Sequence, residues 1–308
     1  MGAQHTTALE ALLVDDGFEG EVLPSEPLSR HTSYRIGGPA RFFVRVATLN
    51  ALSMLTARCI ESGVPWIVIG KGSNLLVADE GFNGVVIVLG DGFRACHFDE
   101  EHSCFLVGGG ITLASVVQEA FKRAVAGLEF AVGIPGTVGG AVRMNAGSGQ
   151  EWIGPAILSV TTFSPEGGLR RFKGSDIAWS YRGSSLPANE IVVECEIAVR
   201  PAQASYIREK MEAALARRKK SQPLYYPSCG SVFKNPEGAF AGALIEKLGM
   251  KGYVVGGAMV SQLHGNFIVN TGNATAADVR TLIGLIQTKV HEAYGIELQP
   301  EVKFIGFA

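Results

Sequence analysis

Two glycine-dense stretches follow runs of β-forming residues: Gly70-Lys71-Gly72-Ser73-Asn74, and Ile134-Pro135-Gly136-Thr137-Val138-Gly139-Gly140, which runs on to Asn145-Ala146-Gly147. Where Cβ atoms are missing, successive backbone N–H groups can turn toward one phosphate oxygen. Loops of this kind can hold a pyrophosphate without any cationic side chain. Either stretch alone also suits a set of tight turns in a strand-rich domain. Two commoner nucleotide loops are excluded. Gly70-x-Gly72 is followed by Leu75 where the dinucleotide fingerprint needs Gly or Ala, and no acidic residue about 20 positions later ends a second strand. Lys71 is followed by Gly72, so the magnesium-binding hydroxyl of a P-loop is missing. A dinucleotide held here would sit in a site of another type.

The elements that must carry these loops are legible in outline. Phe42 to Val46 is β-rich, and Thr48 then caps a helix whose Leu52, Leu55 and Cys59 share a face until Gly63 stops it. Strands are expected at Trp66 to Ile69, Leu75 to Val77 and Val85 to Leu89. Beyond Cys96 strands dominate, with one helix beginning near Thr112 that carries Val116, Ala120 and Ala124 and ends at Gly127. Gly133 to Gly149 reads as a loop, with strands returning at Ile157 to Phe163 and Glu190 to Val199. Pro201 and an Ala/Lys/Arg/Glu-rich helix over about Ser205 to Arg218 mark a boundary. Further on, Phe240, Leu244 and Leu248 suit a helix ended by Gly249. Val279, Leu282, Ile283, Ile286 and Val290 suit a longer one, capped by Thr275 with Asp278 and ended by Gly295. The same Thr275 explains the Asn273 sequon as a cap. A closing strand is expected over Pro300 to Ile305.

Composition bounds the function. The 308 residues are 47% apolar and 18% charged, enough for a large core in two or three lobes. With 27 basic and 29 acidic residues the net charge is −2, which gives no field to draw nucleic acid or anionic lipid and favours small ligands. Glycine supplies 39 residues, well above the usual ~7%. Cys59, Cys96, Cys104, Cys195 and Cys229 form no CxxC pair, and His5, His31, His97, His102, His264 and His291 lack HExxH-like spacing. No disulfide framework and no metal site are expected, and a reducing cytoplasm fits. Met1 to Glu10 has no signal-peptide pattern, no apolar run approaches the ~20 residues of a membrane span, and the Met1-Gly2…Thr6 match to an acylation pattern is too short to weigh.

The two glycine loops resemble those of the flavin-binding lobes of the vanillyl-alcohol-oxidase and p-cresol-methylhydroxylase (VAO/PCMH) superfamily. The lead-in Thr32-Ser33-Tyr34-Arg35-Ile36-Gly37-Gly38-Pro39-Ala40 narrows the resemblance to the UDP-N-acetylenolpyruvoylglucosamine reductase family. So do Tyr181-Arg182-Gly183-Ser184, Gly230-Ser231-Val232-Phe233-Lys234-Asn235-Pro236 and Leu298-Gln299-Pro300-Glu301-Val302-Lys303-Phe304-Ile305-Gly306. The resemblance runs from about His31 to Gly306 and implies an α+β fold, a two-lobed FAD-binding VAO/PCMH-type domain plus a C-terminal α+β substrate-binding domain. The lobes would be 1–92 and 93–204, the UDP-sugar domain 205–299, and the closing strand 300–308 a candidate to return to the first lobe.

By the same resemblance, FAD would be bound by Tyr34, by Gly70, Lys71, Gly72, Ser73, Asn74 and Leu75, and by Ile134, Pro135, Gly136, Thr137, Gly139, Gly140, Asn145, Ala146 and Gly147. No histidine lies in either loop, so the flavin is expected to be noncovalent. The implied reaction is NADPH-dependent reduction of UDP-N-acetylglucosamine enolpyruvate to UDP-N-acetylmuramate in peptidoglycan precursor synthesis. Arg182, Ser231 and Glu301 are the implied catalytic residues, and Lys220, Asn235, Lys251 and His264 the candidate substrate ligands. The spacing of Arg182 and Ser231 resembles the short form of the family, so Tyr225 and Tyr226 are given no clamping role. The chain is expected to be a monomer or weak oligomer.

That chemistry suits these residue types. Hydride adds to the CH₂ carbon of the enolpyruvyl group and a proton to its neighbour, while the substrate carboxylate shares the charge in between. A guanidinium binds a carboxylate through two parallel hydrogen bonds, which fits Arg182. A fixed serine hydroxyl can protonate a strongly basic carbanion, which fits Ser231. Strand alternation after Pro300 would put Val302 and Phe304 on one face and Glu301 with Lys303 on the other, aiming Glu301 at the site. Two other readings use the same loops: a sugar or alcohol oxidase of the superfamily, which needs a base and not a proton donor to carbon, and a flavin-binding module without catalysis.

Overall fold

Thr48 starts the first long helix as its type predicts: its side chain accepts from the Ala51 N–H, and Leu52, Leu55 and Cys59 of Leu49–Glu61 are buried. In this computed structural model, which describes residues 9–13 and 17–307, the helix belongs to the first of two compact units. That unit comprises Met1–Pro24, Phe42–Gly70 and Gly84–Ala216; the second comprises Ser25–Arg41, Lys71–Asn83 and Arg217–Ala308. Met1, Gly2 and Thr6 of the acylation pattern lie outside the described residues.

The first unit holds most of a four-stranded sheet in the order Gly20–Pro27, Pro39–Val46, Phe82–Leu89, Trp66–Val68. It also holds an antiparallel five-stranded sheet in the order Gly168–Lys173, Ile157–Ser164, Ile191–Ala198, Cys104–Gly108, Cys96–Asp99. Phe163, Ile191 and Val193 of the second sheet pack in one core with Val44 and Ile87 of the first and with Leu52 of the helix Leu49–Glu61. Helix Leu113–Lys122 covers the other face, with Val116 and Ala120 buried. It stops before the expected Ala124, which takes φ 53°, and the chain turns into Val125–Ala126 to pair with Arg200–Pro201.

The second unit is built on helix Ala276–Tyr294, whose expected capping box is formed by Thr275 and Asp278 and whose end is Gly295 at φ 67°. Its apolar stripe packs on a sheet of Val254–Val255, Ala258–Val260 and Ile268–Asn270 and on helix Ala241–Lys247. Phe240 departs from the sequence reading. It is the residue before that helix, 72% exposed, because Asn235 Oδ1 accepts the Ala241 N–H and starts the helix one residue later. The closing strand is Lys303–Ile305, parallel to Leu75–Val77.

Candidate functional site

The glycine loops come first. A Cβ at Gly70 would lie 2.5 Å from Thr137 Oγ1, so glycine is what lets the first loop touch the second. The second is not wholly irregular, as the sequence suggests, but contains the short helix Val138–Arg143. Two glycines in its first turn argue against a helix by propensity. Tertiary acceptors decide the matter: Val138 N donates to Ile111 O, Gly139 N to Gly109 O and Gly140 N to Thr137 Oγ1. Those amides are therefore satisfied by protein. Among the described residues no acceptor meets the N–H groups of Gly70 and Gly136 in the first unit, or of Lys71 and Gly72 in the second. At Gly140 an added Cβ would meet only Thr137 Oγ1 at 3.5 Å, leaving open space beside the loop. Unspent main-chain donors beside a side-chain-free surface fit an anionic diphosphate.

Several residues expected to touch the cofactor have other duties. Asn145, 4% exposed and at φ 43°, uses its amide inside the protein: Nδ2 donates to Ser180 O (2.9 Å) and Oδ1 accepts from Gly154 N (3.0 Å). Ile134 and Ala146 pack against the core, and Gly147 pairs with Trp152. In the second unit Leu75 pairs with Lys303, and Ser73 lies in the turn before it. Tyr34 is fully enclosed; burial first, then the adjoining Cys229, holds its phenol well above the ordinary range.

Arg182 sits at the tip of a hairpin, Trp179–Ser180 against Gly183–Ser184, as the second residue of the two-residue turn Tyr181-Arg182. Its φ of 58° is a conformation that glycine usually supplies at this position, and it costs an L-residue roughly 1–2 kcal/mol. The guanidinium lies 5.4 Å from the Tyr181 ring centroid, and Nη1 donates to Gly147 O at 3.4 Å. Asn145 holds the hairpin's Ser180, so the second glycine loop fixes both the turn and its arginine. An arginine on a strained backbone turn, bonded to the neighbouring loop, suits an anion-binding group.

The segments that carry Ser231 and Glu301 are joined within the second unit. Glu301 N donates to Val232 O at 2.7 Å, Val302 N reaches the same oxygen at 3.4 Å, and Lys234 N donates to Gln299 O. One carbonyl receiving two successive amides breaks the strand alternation expected here. Glu301 (8% exposed) and Val302 (3%) are both buried, whereas Phe304 is 38% exposed. The inward placement of Glu301 therefore comes from this pairing and not from a regular strand. Asn74, expected at the flavin, clamps the segment: Nδ2 donates to Glu301 O at 3.0 Å and its carbonyl accepts from Lys303 N. On the other side, Asn266 Oδ1 accepts from Phe233 N (2.9 Å), its Nδ2 donates to Phe233 O (2.8 Å), and its carbonyl accepts from Val232 N. Ser33 Oγ donates to Ser228 O at 2.7 Å, steadying the approach to Cys229. Burial pushes the Cys229 thiol up to about 12, opposed by the adjoining Tyr34 phenol, with the Glu301 charge adding to the rise. Asn266 and the clamping role of Asn74 are not readable from residue type and spacing alone.

Of the candidate substrate ligands, Lys251 and His264 lie together. Lys251 Nζ pairs with Glu246 at 2.5 Å. His264 Nδ1 accepts from Asn266 N, and burial followed by the Lys251 charge lowers its basicity, opposed by Glu246. Asn235 is exposed but spends Oδ1 on Ala241. Lys220 is exposed at the end of helix Ala204–Ser221, and its neighbour Lys219 lines a cleft of about 430 Å³ with Tyr225, Tyr226, Ser261 and Gln262.

Comparison with known proteins gives consistent matches. Residues 222–305 match the model of the C-terminal domain of UDP-N-acetylenolpyruvoylglucosamine reductase, and residues 40–173 that of an FAD binding domain. The chain is 46% identical over 291 residues to the UDP-N-acetylenolpyruvoylglucosamine reductase of Heliobacterium modesticaldum, covering 94% of this chain and 92% of that protein. It is 41% identical to the reductase of Halalkalibacterium halodurans, covering 98% and 99%. The crystal structure of the Thermus caldophilus enzyme superposes with a TM-score of 0.80 at 36% identity, over 93% of this chain and 98% of that one.

Proposed function

Because the chain belongs to the UDP-N-acetylenolpyruvoylglucosamine reductase family, we propose that Arg182, Ser231 and Glu301 carry the sugar half of its reaction. The reaction is the NADPH-dependent reduction of UDP-N-acetylglucosamine enolpyruvate to UDP-N-acetylmuramate, with FAD as cofactor, in peptidoglycan precursor synthesis. When bound, FAD would provide the hydride chemistry, accepting from NADPH and donating to the CH₂ carbon of the enolpyruvyl group. The main-chain amides of Gly70 and Gly136 would hold the diphosphate, without covalent attachment.

The chain's own side chains do the rest. Arg182, already committed to a strained turn, presents its guanidinium to the substrate carboxylate and stabilises the charge that collects there. Ser231 delivers its hydroxyl proton to the adjacent carbon, where a strongly basic carbanion makes so weak an acid sufficient. Glu301 hydrogen-bonds the same intermediate. The observation that carries the reading is the Glu301 N to Val232 O bond, which joins the backbone beside Ser231 to that of Glu301. Lys219, Lys220, Lys251 and His264 are the side chains suited to the UDP diphosphate, and the cleft beside Tyr225 and Tyr226 to its uridine.

A cytoplasmic setting suits this substrate, and no helix among the described residues is long and apolar enough to cross a membrane. We infer flavin lobes over 1–92 and 93–204 and a substrate domain over 205–299 in a monomeric or weakly associating enzyme. The test is stopped-flow spectroscopy of Ser231→Ala. Flavin reduction by NADPH should proceed at the wild-type rate while reoxidation by the enolpyruvyl sugar stops. Equal loss of both half-reactions, or full-rate oxygen consumption without the sugar, would contradict the assignment.

A further inference from the structure

We propose that Asn266 is the positioning residue that sets Ser231 in register with Glu301. The inference rests on the roles given to those two residues above.

Asn266 is 4% exposed and its carboxamide makes both of its short bonds to one residue, accepting from Phe233 N at 2.9 Å and donating to Phe233 O at 2.8 Å. A side chain that satisfies both main-chain groups of one residue acts as a piece of β-ladder. Its own carbonyl extends the ladder by accepting from Val232 N at 2.8 Å. The opposite edge of the same segment pairs with the chain around Glu301, through Glu301 N to Val232 O, Lys234 N to Gln299 O and the bridge between Phe233 and Pro300. Val232 and Phe233 are thus held from both sides, and Ser231 is the next residue out.

On the other side of Ser231, Ser228 is held by Ser33 and Cys229 is buried, but Gly230 intervenes, at φ 82° and with nothing within 4 Å of where a Cβ would be. Glycine restrains its neighbour least, so the ladder at Val232 and Phe233 is the closer hold on the serine. The amide's orientation is set by its surroundings: Oδ1 must face an N–H and Nδ2 a carbonyl. Asn266 N in turn donates to His264 Nδ1, so the ladder is anchored at its far end. An error of ångström size in a proton donor's placement costs a large share of its rate, whereas substrate binding elsewhere in the site is little affected.

The experiment uses the flavin-loaded full chain with Asn266→Asp and Asn266→Ala, read by stopped-flow half-reactions and by hydrogen exchange of the peptide containing Val232 and Phe233. At neutral pH Asn266→Asp keeps an acceptor for Phe233 N but loses the donor to Phe233 O. Sugar-dependent reoxidation should slow on the order of 10- to 100-fold with KM changed less than threefold, and reduction by NADPH should be unchanged. Lowering the pH restores a protonated carboxyl that can both accept and donate, so the reoxidation rate of this variant should recover relative to wild type. Faster exchange at the Val232 and Phe233 amides should accompany the slow rate. A merely structural role would slow both half-reactions together and leave the acid recovery absent, which would overturn the inference. If Asn266→Ala fails to fold, the Asp variant and its pH profile still decide. Ser231→Ala and Glu301→Gln are measured alongside. If they reoxidise normally, the role assignment itself is wrong; if they are blocked while the Asn266 variants are not, only the positioning inference falls.

Discussion

Replacing Asn145 by Ala removes a buried side chain that serves two loops at once. Gly154 N, fully buried, would lose its acceptor, which costs ~1–3 kcal/mol as an unsatisfied donor. Ser180 O would lose a bond worth ~0.5–1.5 kcal/mol, less because this end is nearer solvent. Asn145 also sits at φ 43°, where Asn is tolerated and Ala costs roughly 1–2 kcal/mol. The sum is about 4 kcal/mol, and at ~2–4 °C per kcal/mol for large chains the melting temperature should fall by roughly 8–16 °C. Calorimetry at fixed flavin and protein concentrations measures it. Asn145→Asp separates stability from function, because its carboxylate still accepts from Gly154 N yet cannot donate to Ser180 O. It should melt closer to wild type while the released hairpin weakens Arg182's hold on the substrate carboxylate, raising KM for the sugar and lowering kcat. A shift under 2 °C for the Ala variant, or full sugar reduction by the Asp variant, would refute the link between this asparagine and the arginine turn.

Other perturbations are equally specific. Gly70→Ala puts a Cβ 2.5 Å from Thr137 Oγ1 and should weaken flavin binding at least tenfold, read by quenching of free-flavin fluorescence; unchanged affinity would mean the loop contact is irrelevant to the cofactor. Asp79 accepts from Ala276 N and Ala277 N in the first turn of the helix Ala276–Tyr294, so Asp79→Ala should cost ~1–2 kcal/mol in urea denaturation, and a null result would contradict the cap. His264 is held below its ordinary basicity by burial, with Lys251 adding to and Glu246 opposing the shift, so the unfolded chain binds its proton first as pH falls. Stability should be fully present above about pH 6.5 and decline as pH drops toward the lowered value, and His264→Gln should flatten that decline in a pH series of denaturation midpoints.

Helix starts and ends were readable because their signals are local. Thr48, Thr112 and Thr275 each cap the helix their type predicts, and the stripe from Val279 to Val290 is buried as its spacing requires. The glycine loops and the α+β class were likewise legible. Misreadings arose where distant acceptors override local preference. Val138–Arg143 becomes helical because Ile111 and Gly109 take its amides, and Phe240 is displaced from its helix by the Asn235 carboxamide. At Glu301 the period of two fails because Val232 O accepts two successive amides. Asn74 and Asn145, which the resemblance points to the flavin, also bond Glu301, Ser180 and Gly154, partners that no spacing rule points to.

The parallel pairing of Lys303–Ile305 with Leu75–Val77 also governs the order in which the protein can be made. Every segment of the first unit precedes Arg217, so it can assemble while translation continues. Leu75–Val77 emerges early yet must wait, one hydrogen-bonding edge bare, until Lys303–Ile305 arrives from the ribosome. Nascent chains paused between these points would offer that edge to chaperones, and the segment Ser231–Lys234 would be held from both sides only after synthesis has passed Glu301.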